Sequence, residues 1–215
     1  MDIKTAVGAA LIGFFCSVSV ASAIDTASRS TVGHSKKDFE SEFGKTLPPV
    51  GYIAFCKSDQ EECKASGAQD GKLAMSPDRW NLIYQVNTYV NSKIAPVSDQ
   101  DLYGEAERWA YPTDAGDCED YVLLKKRYLE GLGFTADNLL ITVVLDEKGE
   151  GHAILTVTTD GGDFILDNRR DEVLRWSDTN YKFLKRQSHG NPLQWVALVK
   201  QETSNSGFVS GNNSR

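Results

Sequence analysis

The chain predicts an α+β fold, and three observations carry that reading. Ser76–Ile94 has apolar residues at helical spacing behind a clean helix start, and Asp114–Gly133 repeats the pattern behind a cluster of acids. From Asn138 onward the period becomes that of strands, broken by short turns containing glycine. Helices followed by a run of antiparallel strands make one α+β domain, placed at residues 45–201 and long enough to bury a sizeable core.

The elements follow in order. Ala6–Val20 is an apolar run ended by Ala21-Ser22-Ala23, the small-residue cleavage pattern of a secretory signal peptide, so residues 1–23 should be removed after Ala23 and take Cys16 with them. The run is short for a bilayer span and no later segment could cross one, so the mature chain should carry no integral membrane segment. Residues 24–44 are polar and read as a flexible lead-in, and Leu47–Cys56 as an extended segment with a short strand. Cys56 and Cys63 bracket a polar spacer. In an oxidising compartment, with no second pair or nearby His to complete a zinc site, a disulfide is favoured over a metal pair. That leaves Cys118 unpaired.

Ser76 is the expected N-cap of the first long helix and Pro77 its first residue. Trp80, Ile83, Val90 and Ile94 share a face, with Asn87 and Asn91 as satisfied polar groups at the edge of the core. Pro96–Gly116 is a long connection with one turn of helix. Thr113 or Asp114 can cap the next helix, Tyr121, Leu124, Tyr128 and Leu132 should face the core, and Gly131–Gly133 ends it. Asn138–Asp146, Gly151–Thr159 and Asp163–Asn168 form a meander, and Tyr181–Gln187 and Leu193–Val199 add two strands. The tail, residues 202–215, is rich in Ser, Asn and Gly and should be disordered. The formal charge of −7, with no basic stripe, excludes a nucleic-acid binder.

The chemistry gathers at "DAGDCED". Cys118 falls in the first turn of its helix, where free N–H groups and the helix dipole lower a thiol pKa, yet Asp114, Asp117, Glu119 and Asp120 surround it and oppose the thiolate. Histidine is scarce: His34 lies in the lead-in, His189 in a loop, and His152 opens a strand behind Gly151. A base there needs an acid on its far nitrogen, and Asp167 on the next strand is the candidate. A two-residue turn at Asp160-Gly161 would set Asp167 opposite Ile154 and diagonal to His152; a three-residue loop would put the two on opposite faces.

Cysteine at a helix start, histidine on a strand and aspartate on the following strand is the order of papain-like and transglutaminase-like cysteine enzymes. The blocks "YPTDAGDCEDYVLLKKRYLEGLG", "GHAILTV" and "FILDN" resemble those of the bacterial transglutaminase-like cysteine proteinases, periplasmic proteins of Gram-negative bacteria, over about Pro49–Val199. The resemblance implies a papain/transglutaminase-like fold, with the Cys at a helix N-terminus packed on an antiparallel sheet carrying the His and Asp. It implies a catalytic triad of Cys118, His152 and Asp167, a periplasmic location for the enzyme, and a protein or peptide substrate. In related calcium-dependent biofilm-adhesin proteases the acids flanking the cysteine bind Ca²⁺, which maps onto Asp117, Glu119 and Asp120. Clustered carboxylates suit that ion; otherwise they only complement the helix dipole, at about 0.3–1 kcal/mol each. Those relatives clip a large surface adhesin and are sequestered by an inner-membrane receptor. The Cys56–Cys63 pair is not part of their pattern and suggests a separate branch. The same triad also suits a transglutaminase-like acyltransferase or an amidase acting on cell-wall peptides, or it could persist in a non-catalytic binding module. The Cys118 N–H is a candidate oxyanion donor, and Trp109 or Tyr121 could wall the site.

Overall fold

The computed structural model describes residues 38–65 and 72–200. The expected signal peptide, residues 24–37 of the lead-in and the tail 202–215 lie outside the described residues.

In chain order the elements are β1 Lys45–Thr46, α1 Val50–Ser58, α2 Pro77–Lys93, β2 Ala95–Pro96, α3 Asp99–Tyr103, β3 Ala115–Gly116 and α4 Cys118–Gly131. The second half is β4 Leu139–Leu145, β5 Gly151–Thr159, β6 Gly162–Asp167, β7 Arg170–Arg175, β8 Lys182–Ser188 and β9 Asn191–Ala197. The large sheet is antiparallel throughout, in the order β1-β9-β8-β4-β5-β6-β7, and β2 and β3 form a small parallel pair.

α4 packs on β5, and α2 packs on both α4 and β7. Ile83 and Val90 of α2, Leu129 of α4, and Leu155 and Val157 of β5 meet in the main core. Fully burying a side chain of this size contributes about 1.5–3 kcal/mol, so this layer holds the helix bearing Cys118 against the sheet. A smaller apolar cluster, Val144, Ile154, Ile165, Tyr181, Phe183 and Leu198, contains the β5 and β6 residues of opposite parity.

Several sequence expectations need correction. Leu47–Cys56 is not an extended segment: Val50–Ser58 is helical and buries Tyr52 and Phe55 at helical spacing. The Cys56–Cys63 disulfide ties that helix to the turn after it. Residues 38–44 of the lead-in are docked: Arg186 donates to Glu40 and Glu42, Glu40 N–H donates to Asp163, and Phe43 N–H donates to the Ala197 carbonyl. Arg186 is buried, and a buried charge requires such partners.

Tyr128 and Leu132 are exposed. Val122, Leu123, Lys125, Lys126 and Leu129 are buried instead, because α4 is covered by both the sheet and α2. β7 was not expected, since "RDEVLR" is mostly charged; it is the sheet's edge strand, where charge guards against further pairing. Ser76 does cap α2, accepting from Arg79 N–H, and α3 supplies the expected turn of helix. Gly133, with φ +88°, takes the left-handed position just past α4.

Candidate active site

The nucleophile candidate is placed by a late helix start. Ala115 and Gly116 pair with Ala95 and Pro96, which keeps the chain extended through Asp117, so neither Thr113 nor Asp114 caps α4. Asp117 holds the N-cap position without a side-chain cap bond, and Cys118 is the first helical residue. Its Sγ accepts from Ala153 N–H at 3.4 Å and donates to Glu119 Oε2 at 3.1 Å. Burial, and then the Glu119 charge, push the thiol up, outweighing the lowering expected from a helix start.

β5 and β6 pair as a two-residue turn requires: Thr159 lies opposite Gly162 and Leu155 opposite Leu166. That register carries His152 near the start of β5 and Asp167 at the end of β6 to 2.9 Å, Nε2 to Oδ1. His152 Nδ1 is buried and has no hydrogen-bond partner among the described residues. Cys118 and His152 line the same cleft of about 270 Å³, with Pro49, Glu107, Trp109 and Lys185. One ring nitrogen therefore pairs with the acid, and the other makes no bond among the described residues.

Asp167 is held from every side. Oδ1 also accepts from Arg169 N–H at 3.0 Å, and Oδ2 accepts from the Tyr181 hydroxyl at 2.5 Å and faces Arg170 Nε at 3.5 Å. The Asp167 backbone carbonyl accepts from Asn91 Nδ2, while Asn87 and Asn91 also donate to carbonyls at the start of β7. The two asparagines are therefore only half satisfied, since each Oδ1 is buried with no partner among the described residues, but their amide N–H groups fix the turn that presents the acid. Burial would raise the Asp167 carboxyl, but the His152 and Tyr181 hydrogen bonds and the His152 charge hold it down at about 2.

The acids do not group as the sequence suggested. Asp99, at the start of α3, joins Asp117 and Asp120, with carboxylate oxygens within 4.8 Å of one another. Glu119 lies instead with Asp117 and the thiol, in a second group of the same span. Asp120 Oδ1 accepts from Ala110 N–H at 2.8 Å, and Asp99 Oδ2 accepts from Arg108 N–H. One oxygen on each of Asp99, Asp117 and Asp120 is buried without a partner among the described residues. Burial and mutual repulsion push Asp117 and Glu119 up and raise Asp120 to about 7. Partnerless buried carboxylate oxygens that converge from three residues fit a hard divalent cation with oxygen ligands. Gly116 permits the approach: a Cβ there would sit 2.6 Å from Asp120 Oδ2.

Trp109 walls the cleft, its Nε1 donates to Glu107 at 2.8 Å, and Gly51 lies so close that a Cβ would come within 2.4 Å of the indole. Tyr121 is core, with its hydroxyl on the Ile94 carbonyl. Sequence reasoning missed Asp99 and Tyr181. "SDQD" reads as a capped helix start whose acids serve the dipole, and Tyr181 reads as an ordinary strand aromatic.

Residues 42–203 match the family of bacterial transglutaminase-like cysteine proteinases, and the chain belongs to that family. No curated protein matches the chain significantly. Among solved structures, calcium-bound LapG of Legionella pneumophila is 23% identical with a TM-score of 0.48, over 62% of this chain and 76% of that one. Another structure of Legionella pneumophila LapG is 22% identical with a TM-score of 0.47, over 58% of this chain and 71% of that one.

Proposed function

We propose that this transglutaminase-like cysteine proteinase is exported to the periplasm and cleaves its protein substrate through Cys118, His152 and Asp167. The observation that carries the triad is the imidazole: Nε2 pairs with Asp167, Nδ1 makes no bond among the described residues, and His152 and Cys118 line one cleft. His152 Nδ1 takes the thiol proton as Sγ attacks the scissile carbonyl carbon. The backbone N–H of Cys118, at the start of α4, holds the developing oxyanion. As the C–N bond breaks, the imidazolium returns its proton to the leaving amine, leaving a thioester on Cys118. Water then adds with His152 as base, and the acid product and free thiol are released. Asp167, at about 2, stays ionised throughout and fixes the ring.

Asp99, Asp117 and Asp120 would hold a calcium ion, with Glu119 beside them. When bound, the ion would supply positive charge that offsets the clustered carboxylates and favours the thiolate. The apolar run and "ASA" ending at Ala23 support export. Among the described residues no helix is long and apolar enough to cross a membrane. The family resemblance supports a large surface protein of the adhesin type as substrate, and an inner-membrane receptor as regulator.

Comparative proteomics of the exported and surface fractions, from cells carrying the wild type or Cys118→Ala, tests this reading. The wild type should shorten one large surface protein that the variant leaves whole. Identical fragment patterns would refute it.

A further inference from the structure

Tyr181 owes its place to a crossing. β7 is an edge strand and β8 lies beyond β4, so the chain must pass over β6, β5 and β4 to reach β8. The apolar cluster made by Val144, Ile154 and Ile165 receives that passage, with Trp176 packed against it and Tyr181 and Phe183 within it. The passage delivers Tyr181 to the two triad residues that stand on the sheet. Its hydroxyl donates to Asp167 Oδ2 at 2.5 Å, and its ring meets the His152 ring edge-on with centroids 5.7 Å apart. Arg170 steadies the phenol: Nη2 donates to its oxygen at 3.4 Å, and the guanidinium lies 5.5 Å over its ring.

We propose that Tyr181 is a positioning residue of this site: its hydroxyl draws negative charge off Asp167, its ring walls the imidazole, and together they keep His152 ready to give its proton back. The proposal rests on the triad reading. A carboxylate bonded only to the imidazole would hold the imidazolium tightly and slow proton return to the leaving amine. A phenol on the other oxygen competes for the same charge and weakens that hold. It also fixes the plane of the carboxylate, and so the orientation of the imidazole ring bonded to it. The exchange is mutual, since burial and then the Asp167 bond push the Tyr181 hydroxyl up to about 12, and it stays a donor at any working pH.

Other charged groups face this centre: Arg170 and Asp171 from β7, and buried Lys125 from α4, whose ammonium feels both Asp167 and Asp171. Cys118, Glu107, Glu119 and Lys185 line the same cleft as His152. The readout must therefore come from the imidazole itself, with the thiol removed.

The experiment follows the His152 ring by NMR in isotope-labelled Cys118→Ala protein, assigned through His152→Gln, with and without Tyr181→Phe. The titration midpoint should rise by about 0.5–1 pH unit in Tyr181→Phe. Replacing Tyr181 by a ring-fluorinated tyrosine, a stronger donor of the same shape, should lower it. Adding Asp167→Asn should erase both shifts, because the effect travels through that carboxylate. In enzyme with its thiol intact, Tyr181→Phe should lower kcat about tenfold with KM unchanged. Midpoints that coincide within about 0.2 pH unit in both the Phe and the fluorinated protein would overturn the proposal. Failure of the triad reading would look different, since Cys118→Ala would then keep cleaving substrate.

Discussion

Asp120 is the carboxylate that most directly measures how the acidic cluster was built, and Asp120→Asn is the perturbation that isolates it. Asn keeps the shape and the acceptor for Ala110 N–H but removes the charge that faces Asp99 and Asp117. With its carboxyl raised from an ordinary 3.8 to about 7, folded Asp120 keeps a proton that the unfolded chain has released over that range. The folded state binds more protons there, so stability falls as pH rises from about 4 towards 7. Between about pH 5.5 and about pH 7.5 the linkage amounts to about 2 kcal/mol, at roughly 1.4 kcal/mol per pH unit. Solvent screening through the half-buried Asp117 beside it roughly halves this, to about 1 kcal/mol, or a Tm about 2–4 °C lower at the higher pH for a chain of this size. Glu40, which burial also pushes up to about 7, adds a slope of the same sign, so the comparison must be wild type against variant. The assay is thermal unfolding in a chelator at both pH values, repeated with calcium and with magnesium. The wild type should lose more Tm than Asp120→Asn as pH rises. Calcium should restore the loss, and magnesium should not, because it demands tighter octahedral geometry and keeps its waters. Equal pH slopes for the two proteins, or no response to calcium, would refute the crowded-carboxylate account.

Two further predictions concern other parts of the site and its support. Asp167→Asn keeps the size but puts an amide N–H towards His152 or towards the Tyr181 hydroxyl that donates to Oδ2, and removes the charge that faces Arg170; cleavage should fall about a thousandfold or more at unchanged secondary structure, measured by kcat and circular dichroism. Cys56→Ser/Cys63→Ser opens a short loop and should cost about 2.5 kcal/mol of unfolding free energy in a denaturant titration, while the pH dependence of cleavage should keep its shape.

The elements that carry the site were legible wherever local chemistry fixes them. Ser76-Pro77 marks a helix start whatever surrounds it, and Asp160-Gly161 sets the β5–β6 register, which decides whether His152 and Asp167 can meet. Features fixed by tertiary contact were not legible. α1 is short and follows two prolines, and its helix is supported by the disulfide and by Tyr52 in the core. Lys125 and Lys126 are polar side chains yet are buried, because α4 is sandwiched, and no amphipathic pattern announces that. β7 is charged because it is an edge. Asp99 and Tyr181 reach the site only through the fold, one by the β2–β3 pairing that folds the long connection back, the other by the crossing over the sheet.

The central claim is that Cys118 is the nucleophile and His152 its base, and a titration of modification against function tests it most directly. Among the described residues Cys118 is the one free thiol, so iodoacetamide can be counted onto it by intact-mass spectrometry while cleavage of the surface substrate is followed in the same samples. The account predicts that activity falls in proportion to carboxamidomethylation of Cys118 and reaches zero at one label per chain. It also predicts that His152→Gln slows the labelling about tenfold or more near neutral pH. Full labelling of Cys118 with cleavage undiminished would contradict it.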